Sequence, residues 1–382
     1  MRSIPFIILS LSLFSFISNA QDVPDTAQES NGIAKLIKKV AGDDGDDSGF
    51  GPVISYNSRD HIHIGIKYVI DKRPGEGIKT PQKHEWAVRY SLSEKAFSYG
   101  YEGVFKELLG KWDLELNGGY DAIRWHNFFG LGNESINRSD DRNYHRVRAR
   151  EIEGYLGVRR LSLPHDFRLG LLFHSVRLLN DPGRYHTEYE MDLLDFESQQ
   201  FAGAATSYVY KKLDDLLVPS KGILFRTEAK YLRNTNADSS ALNFGGELNA
   251  FLPLSKSFIF SLKSGAATVM GEPEFYQLNR IGGSRTLRGY RRWRFYGESA
   301  FYNQAEVQFV RPFRLGSMDG RAGLIALYDI GKVWHPGYNS DNWHSAYGAG
   351  ILFVPFNKVS VAVFYAISDE ENDISLRFST GL

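Results

Sequence analysis

Arginine is concentrated in one short stretch of this 382-residue chain: Arg285, Arg288, Arg291, Arg292 and Arg294 fall between the glycine pair Gly282-Gly283 and Gly297. A guanidinium is planar, permanently charged and able to bond two carboxylates at once, so such a stretch suits anion binding or a multidentate ion pair. Two downstream carboxylates stand where a cation partner would be needed. Asp329 interrupts the apolar run Leu324-Ile325-Ala326-Leu327-Tyr328, and Glu306 shares one face of an extended segment with Tyr302, Gln304 and Gln308. Other candidates are thinner. His61 and His63, spaced i, i+2, could form a metal pair but have no nearby carboxylate and read as ordinary wall residues. His174-Ser175 is a faint hint of lipid hydrolysis. Asp43-Asp44-Gly45-Asp46-Asp47-Ser48 breaks the ligand order of an EF-hand loop and reads as a solvated run. No Gly-x-Ser-x-Gly, His-Glu-x-x-His or Walker loop is present, and there is no cysteine. No catalytic, metal-ligating or cofactor-binding residue is therefore assigned, and the chain is not read as an enzyme.

The elements that would hold these residues follow from patterning. Met1-Arg2-Ser3, the apolar run Ile4–Ile17 and Ser18-Asn19-Ala20 make a secretory signal peptide over residues 1–20. Residues 21–49 form a polar linker in which Ile33, Leu36, Ile37 and Val40 fall at helical spacing, enough for a short amphipathic helix. From Phe50 the pattern changes to period two. Ile62, Ile64, Ile66 and Tyr68 alternate with His61, His63, Gly65 and Lys67, and Ile374, Leu376 and Phe378 alternate with Ser375, Arg377 and Ser379. Bulky apolar faces carrying aromatics near their ends, set against faces with charges in mid-strand, fit a transmembrane antiparallel β-barrel better than a sandwich. The greasy sides would touch hydrocarbon and the charged sides would enclose a wet cavity. At roughly 21 residues per strand with its share of loop, residues 50–382 hold about 16 strands, with 12 or 14 left open. Aromatics at 14% and 37 glycines suit such strands and turns, and 45 basic residues against 45 acidic ones give no support to nucleic-acid binding.

Several motifs in order then resemble one family. Leu287-Arg288-Gly289-Tyr290 looks like the loop signature of the BamA/TamA-type outer-membrane assembly barrels, the bacterial surface antigen family. Asn303–Gln308 resembles the family's Glu-x-Arg strand, with Gln308 at the arginine position, which removes one charge from the lumen. Gly323–Trp334 resembles its Asp-x-Gly-x-Val-Trp strand, Asp214–Gly222 its Pro-x-x-Gly turn, and Asn127–Glu134 a loop of its short members. Leu382 stands where a terminal phenylalanine is common, and residues 21–49 are too few for one periplasmic POTRA repeat.

Inside a barrel, an arginine withdrawn from bulk water must meet carboxylates or cost several kcal/mol. The stretch between the glycine turns is therefore predicted to fold inward, with Arg288, Gly289 and Tyr290 as a latch in which Arg288 pairs with Asp329 and Glu306. The resemblance implies an outer-membrane location and insertion or translocation of polypeptides through the seam between first and last strands. It also implies unfolded or secreted polypeptides, outer-membrane lipids including lipopolysaccharide, and a periplasmic accessory protein as partners. A passive channel or structural surface antigen is the alternative, and a barrel lipid hydrolase a third.

Overall fold

A computed structural model describes residues 48–57, 61–72, 80–138, 141, 143–188, 196–316 and 318–380. The expected signal peptide, nearly all of the linker with its helix and acidic run, and Leu382 lie outside the described residues. The strands are β1 (Gly49–Asn57), β2 (His61–Lys72), β3 (Gln82–Ser91), β4 (Ala96–Leu109), β5 (Trp112–Asn127), β6 (Arg146–Ser162), β7 (His165–Leu178), β8 (Gln199–Leu213) and β9 (Gly222–Asn234). They continue as β10 (Ser240–Pro253), β11 (Phe258–Gly271), β12 (Asn279–Ile281), β13 (Phe295–Gly297), β14 (Ser299–Leu315), β15 (Met318–Trp334), β16 (His344–Pro355), β17 (Val359–Ser368) and β18 (Asn372–Thr380).

Among the described residues sixteen of these strands form one antiparallel sheet in which each pairs with its sequence neighbours. The only break in that order is β11 pairing with β14, which leaves β12 and β13 as a separate two-stranded ribbon. The expected count of about 16 strands agrees with this. No ladder joins β1 to β18 among the described residues. Helix is confined there to single turns at Tyr185–Glu188 and Phe275–Gln277. The connections are unequal. On one rim, β4 meets β5 and β6 meets β7 in tight two-residue turns; on the other, the strands are separated by far longer stretches, residues 128–145, 179–198, 272–298 and 335–343. Short turns on one side and long loops on the other are the asymmetry of an outer-membrane barrel, whose long loops face outward from the cell.

Alternation decides which way each side chain points. Ile66, Leu171, Leu324, Ile351 and Ile374 stand on one face and are each about two-thirds exposed or slightly less. So large a continuous apolar surface has no place in water and fits contact with lipid. Aromatic rings bridge adjacent strands on this face: Tyr68 stacks on Trp86 at 6.1 Å and Trp86 meets Tyr101 at 5.1 Å. Tyr68 and Trp86 are directly opposed across β2 and β3, as Trp86 and Tyr101 are across β3 and β4, which is why the rings meet.

The other face is not uniformly wet, which departs from the expectation. Along β4 to β11 it carries paired charges, among them Lys106 with Asp113 at 2.8 Å, Arg168 with Glu115 at 3.1 Å, and Lys263 with Glu247 at 3.1 Å. Along β15 to β17 it is apolar apart from Arg321 and Asp329. Ile325, Leu327, Leu352, Val354, Ala362 and Phe364 form a buried cluster with Val218 from the β8–β9 turn. That turn reaches across the interior, and Asp215 meets Arg321 of β15 at 2.8 Å. Asp214 fixes its shape by accepting from the Ser220 and Lys221 backbone N–H groups. A turn covering the short-turn rim explains how apolar inward residues escape water.

The lipid-facing assignment gives a direct expectation. Leu171 sits near the middle of β7, so Leu171→Arg should destabilise the barrel by about 2–4 kcal/mol, read as a lower urea midpoint in lipid vesicles. A midpoint equal to the parent's would mean that this face does not meet hydrocarbon.

Candidate functional site

The site is built on the long excursion between β11 and β14. β12 and β13 zip its base, with Asn279 opposite Gly297 and Ile281 opposite Phe295. Apolar burial holds the rest: Leu287, Tyr290, Phe295 and Tyr296 are inaccessible to solvent. Two glycines permit the path. Gly282 has φ +122°, and a Cβ there would lie 2.4 Å from the Arg291 carbonyl. Gly289 has φ +85°, and a Cβ would come within 3.0 Å of Ala346. A side chain at position 289 would therefore be strained by its backbone and crowded against β16.

The turn between these glycines delivers Arg288 to the interior, where it is 2% exposed. Its Nε donates to Asp329 Oδ2 at 2.8 Å, its Nη2 to Asp329 Oδ1 at 2.6 Å, and its Nη1 to Glu306 Oε1 at 2.6 Å. The Arg288 backbone N–H also donates to Asp329, at 2.9 Å. Asp329 on β15 and Glu306 on β14 are both buried, and Gln304 donates to Asp329 at 3.1 Å. The structure thus brings together the three charged residues singled out in the sequence.

A fourth charge was not foreseen. Arg377 of β18 donates to Glu306 at 2.8 and 3.1 Å. Gln308 itself donates to Glu306 at 2.9 Å. The charge missing at position 308 is thus matched by one from the last strand, and Phe364 of β17 lies between the two guanidiniums, 5.0 Å from Arg288 and 4.8 Å from Arg377. Two arginines and two carboxylates leave the cluster neutral. The signal available in the sequence was the inward parity of Arg377 between Leu376 and Phe378.

The same loop grips the turn between β17 and β18, residue by residue. Tyr290 Oη donates to Asp369 at 2.5 Å, Arg294 bonds Glu370 at 2.7 and 2.8 Å, and Arg291 donates to Glu371 at 3.3 Å. Ser368 Oγ donates to the Gly289 carbonyl at 2.7 Å. Burial and the adjacent Asp369 carboxylate push the Tyr290 phenol's pKa up, so it remains a donor. The β5–β6 loop closes from the other side: Asn133 exchanges two hydrogen bonds with the Val333 backbone, and Tyr296 Oη donates to the Asn127 carbonyl at 2.5 Å.

The remaining sequence candidates lie elsewhere. His174 faces inward, 3.4 Å from Glu151, while Ser175 projects to the other side and meets Ser198. They cannot act as base and nucleophile on one another. Glu151, Glu153 and His174 could each offer a metal one ligand atom, but Arg124 already spans both carboxylates at 2.9 and 2.8 Å, which makes this a charge-compensated strut. The His61 side chain, and with it the candidate His61–His63 pair, lies outside the described residues.

Removing one partner of a buried ion cluster leaves the others uncompensated. Arg288→Ala should therefore cost about 3–5 kcal/mol in urea unfolding from lipid vesicles, whereas Arg377→Ala, about half exposed, should cost at most about 1 kcal/mol. Equal losses would contradict the central place of Arg288.

Comparisons with known proteins agree with this architecture. The Omp85 superfamily domain matches residues 81–382. Among solved structures, BamA from Haemophilus ducreyi lacking POTRA domains 1–3 superposes with a TM-score of 0.64 at 14% identity, covering 87% of this chain and 69% of that one. CdiB from Escherichia coli gives a TM-score of 0.54 at 13% identity, covering 87% of this chain and 62% of that one. No curated protein matches the sequence. The family resemblance read from the Leu287–Tyr290 signature and its companion motifs is borne out, and the chain, an outer-membrane β-barrel, belongs to the Omp85 superfamily.

Proposed function

We propose that this barrel inserts or translocates polypeptides at the outer membrane, without catalysing covalent chemistry, and that Arg288, Gly289 and Tyr290 latch its last hairpin. The observation that carries the reading is how that hairpin is held. Tyr290, Arg291 and Arg294 of the inward loop hold Asp369, Glu370 and Glu371, and Arg288 shares Glu306 with Arg377 of β18. No ladder ties β18 to β1 among the described residues. A seam fixed by side-chain contacts to a loop can open without first breaking a row of backbone hydrogen bonds. Family membership supports the same reading. The interior argues against a wide passive pore, because loops fill it from one rim and the β8–β9 turn covers the other.

The experiment uses the mature chain reconstituted in phospholipid vesicles. An unfolded eight-stranded outer-membrane barrel, diluted from urea, should fold several-fold faster into these vesicles than into protein-free ones, and Arg288→Ala should reduce the gain. In planar bilayers the parent should show rare, flickering openings, while Arg288→Ala should open more often and expose the loop to protease. Large steady openings in the parent without any gain in folding rate would replace this reading with a passive channel.

A further inference from the structure

The outer face near the long-loop rim carries a group of arginines that the latch does not use. On β6, Val147, Ala149 and Glu151 point inward and are buried, so Arg146, Arg148 and Arg150 point outward. Arg177 of β7 lies directly opposite Arg150, and both are exposed. Like charges directly opposed across two strands destabilise a sheet. Neither of this pair has a carboxylate at ion-pair distance among the described residues, whereas nearly every inward charge of the same strands is paired. Beside the pair, the guanidiniums of Arg148 and Arg184 lie 5.9 and 5.0 Å from the Trp125 ring centroid and share a single carboxylate, Asp181. With Arg146, 5.4 Å from the same ring, five guanidiniums of this face thus meet three nearby carboxylates among the described residues, Asp181, Glu94 and Asp141.

Position gives this excess a meaning. Ile152 and Leu156 follow Arg150 on the same outward row, and Phe173 and Leu171 run beside them on β7, all exposed. One step along that row is about 6.6 Å, so the arginines stand at the edge of the lipid-facing band. The rim is that of the long loops, which faces the outer leaflet. Cations just beyond an apolar band meet lipid headgroups, and planar guanidiniums suit the oxygens of phosphate.

We propose that Arg150 and Arg177, flanked by Arg148 and Arg184, form a binding site for the phosphate groups of a phosphorylated glycolipid in the outer leaflet, whose acyl chains lie along Ile152, Leu156, Leu171 and Phe173. The bound phosphate relieves the repulsion between the opposed arginines. The site does not depend on the latch and would serve a barrel of any function.

The test uses the mature chain in dodecyl maltoside micelles, titrated with diphosphorylated and with fully dephosphorylated lipid A and read by native mass spectrometry. The parent should bind the diphosphorylated form at least tenfold more tightly, and the R150A/R177A double variant should lose that preference. Because both side chains are exposed, the variant should fold, which faster migration of the unboiled protein on a denaturing gel confirms. Arg311→Ala, an exposed arginine at the short-turn rim, should leave binding unchanged. The proposal is overturned if the double variant binds like the parent, if phosphate on the lipid makes no difference, or if Arg311→Ala loses as much. Complete competition by equimolar inorganic phosphate would overturn it too, by reducing the site to one for free anions.

Discussion

A charge withdrawn from water must be answered at close range, and the loop, the late strands and the last hairpin are all arranged around that requirement at Arg288. Without the arginine, Asp329 would be a carboxylate with no exposure among the apolar residues of β15. Without Asp329 and Glu306, Arg288 would be a buried cation with nothing to answer it, set against the apolar burial of Leu287, Tyr290 and Phe295 that draws the loop inward. The cluster is a poor device for stability alone, since a well-packed apolar core of the same volume would do as well. What it adds is definition. Three donor directions on one rigid fork fix the loop relative to β14 and β15, and the Arg288 backbone N–H fixes it further.

The interior divides in two around this point. From β4 to β11 it carries charges that compensate one another, and toward the long-loop rim it turns apolar, where Val147, Val176, Phe201 and Leu232 pack against the loops. From β15 to β17, apart from Arg321 and Asp329, it is apolar and is covered by the β8–β9 turn, pinned by Asp215 and Arg321.

Much of this was legible in the sequence because a lipid-facing strand must alternate. Rows such as Ile64, Ile66 and Tyr68 on β2 or Ile374 and Leu376 on β18 gave the outward face, and length gave a count close to the sixteen strands found. The partners of Arg288 were legible for a different reason: a carboxylate in an apolar strand needs a cation. The apolar half of the interior was not, because Ile325 and Leu327 sit in a run apolar at every position, where parity carries no information. Arg377 and the acidic turn Asp369-Glu370-Glu371 were also missed. Their role depends on which loop lies above them, and local pattern does not encode that.

The pairing of Asn133 with the Val333 backbone spans 200 residues of chain. Contacts so distant in sequence form late, since the loop between them must close first. Neither that pairing nor the Arg288 cluster can exist before β15 is in place. Because the same loop also bonds Asp369, Glu370 and Glu371, it reaches its final position only when the β17–β18 hairpin is there to hold it. For this chain, filling the interior and finishing the wall are completed together.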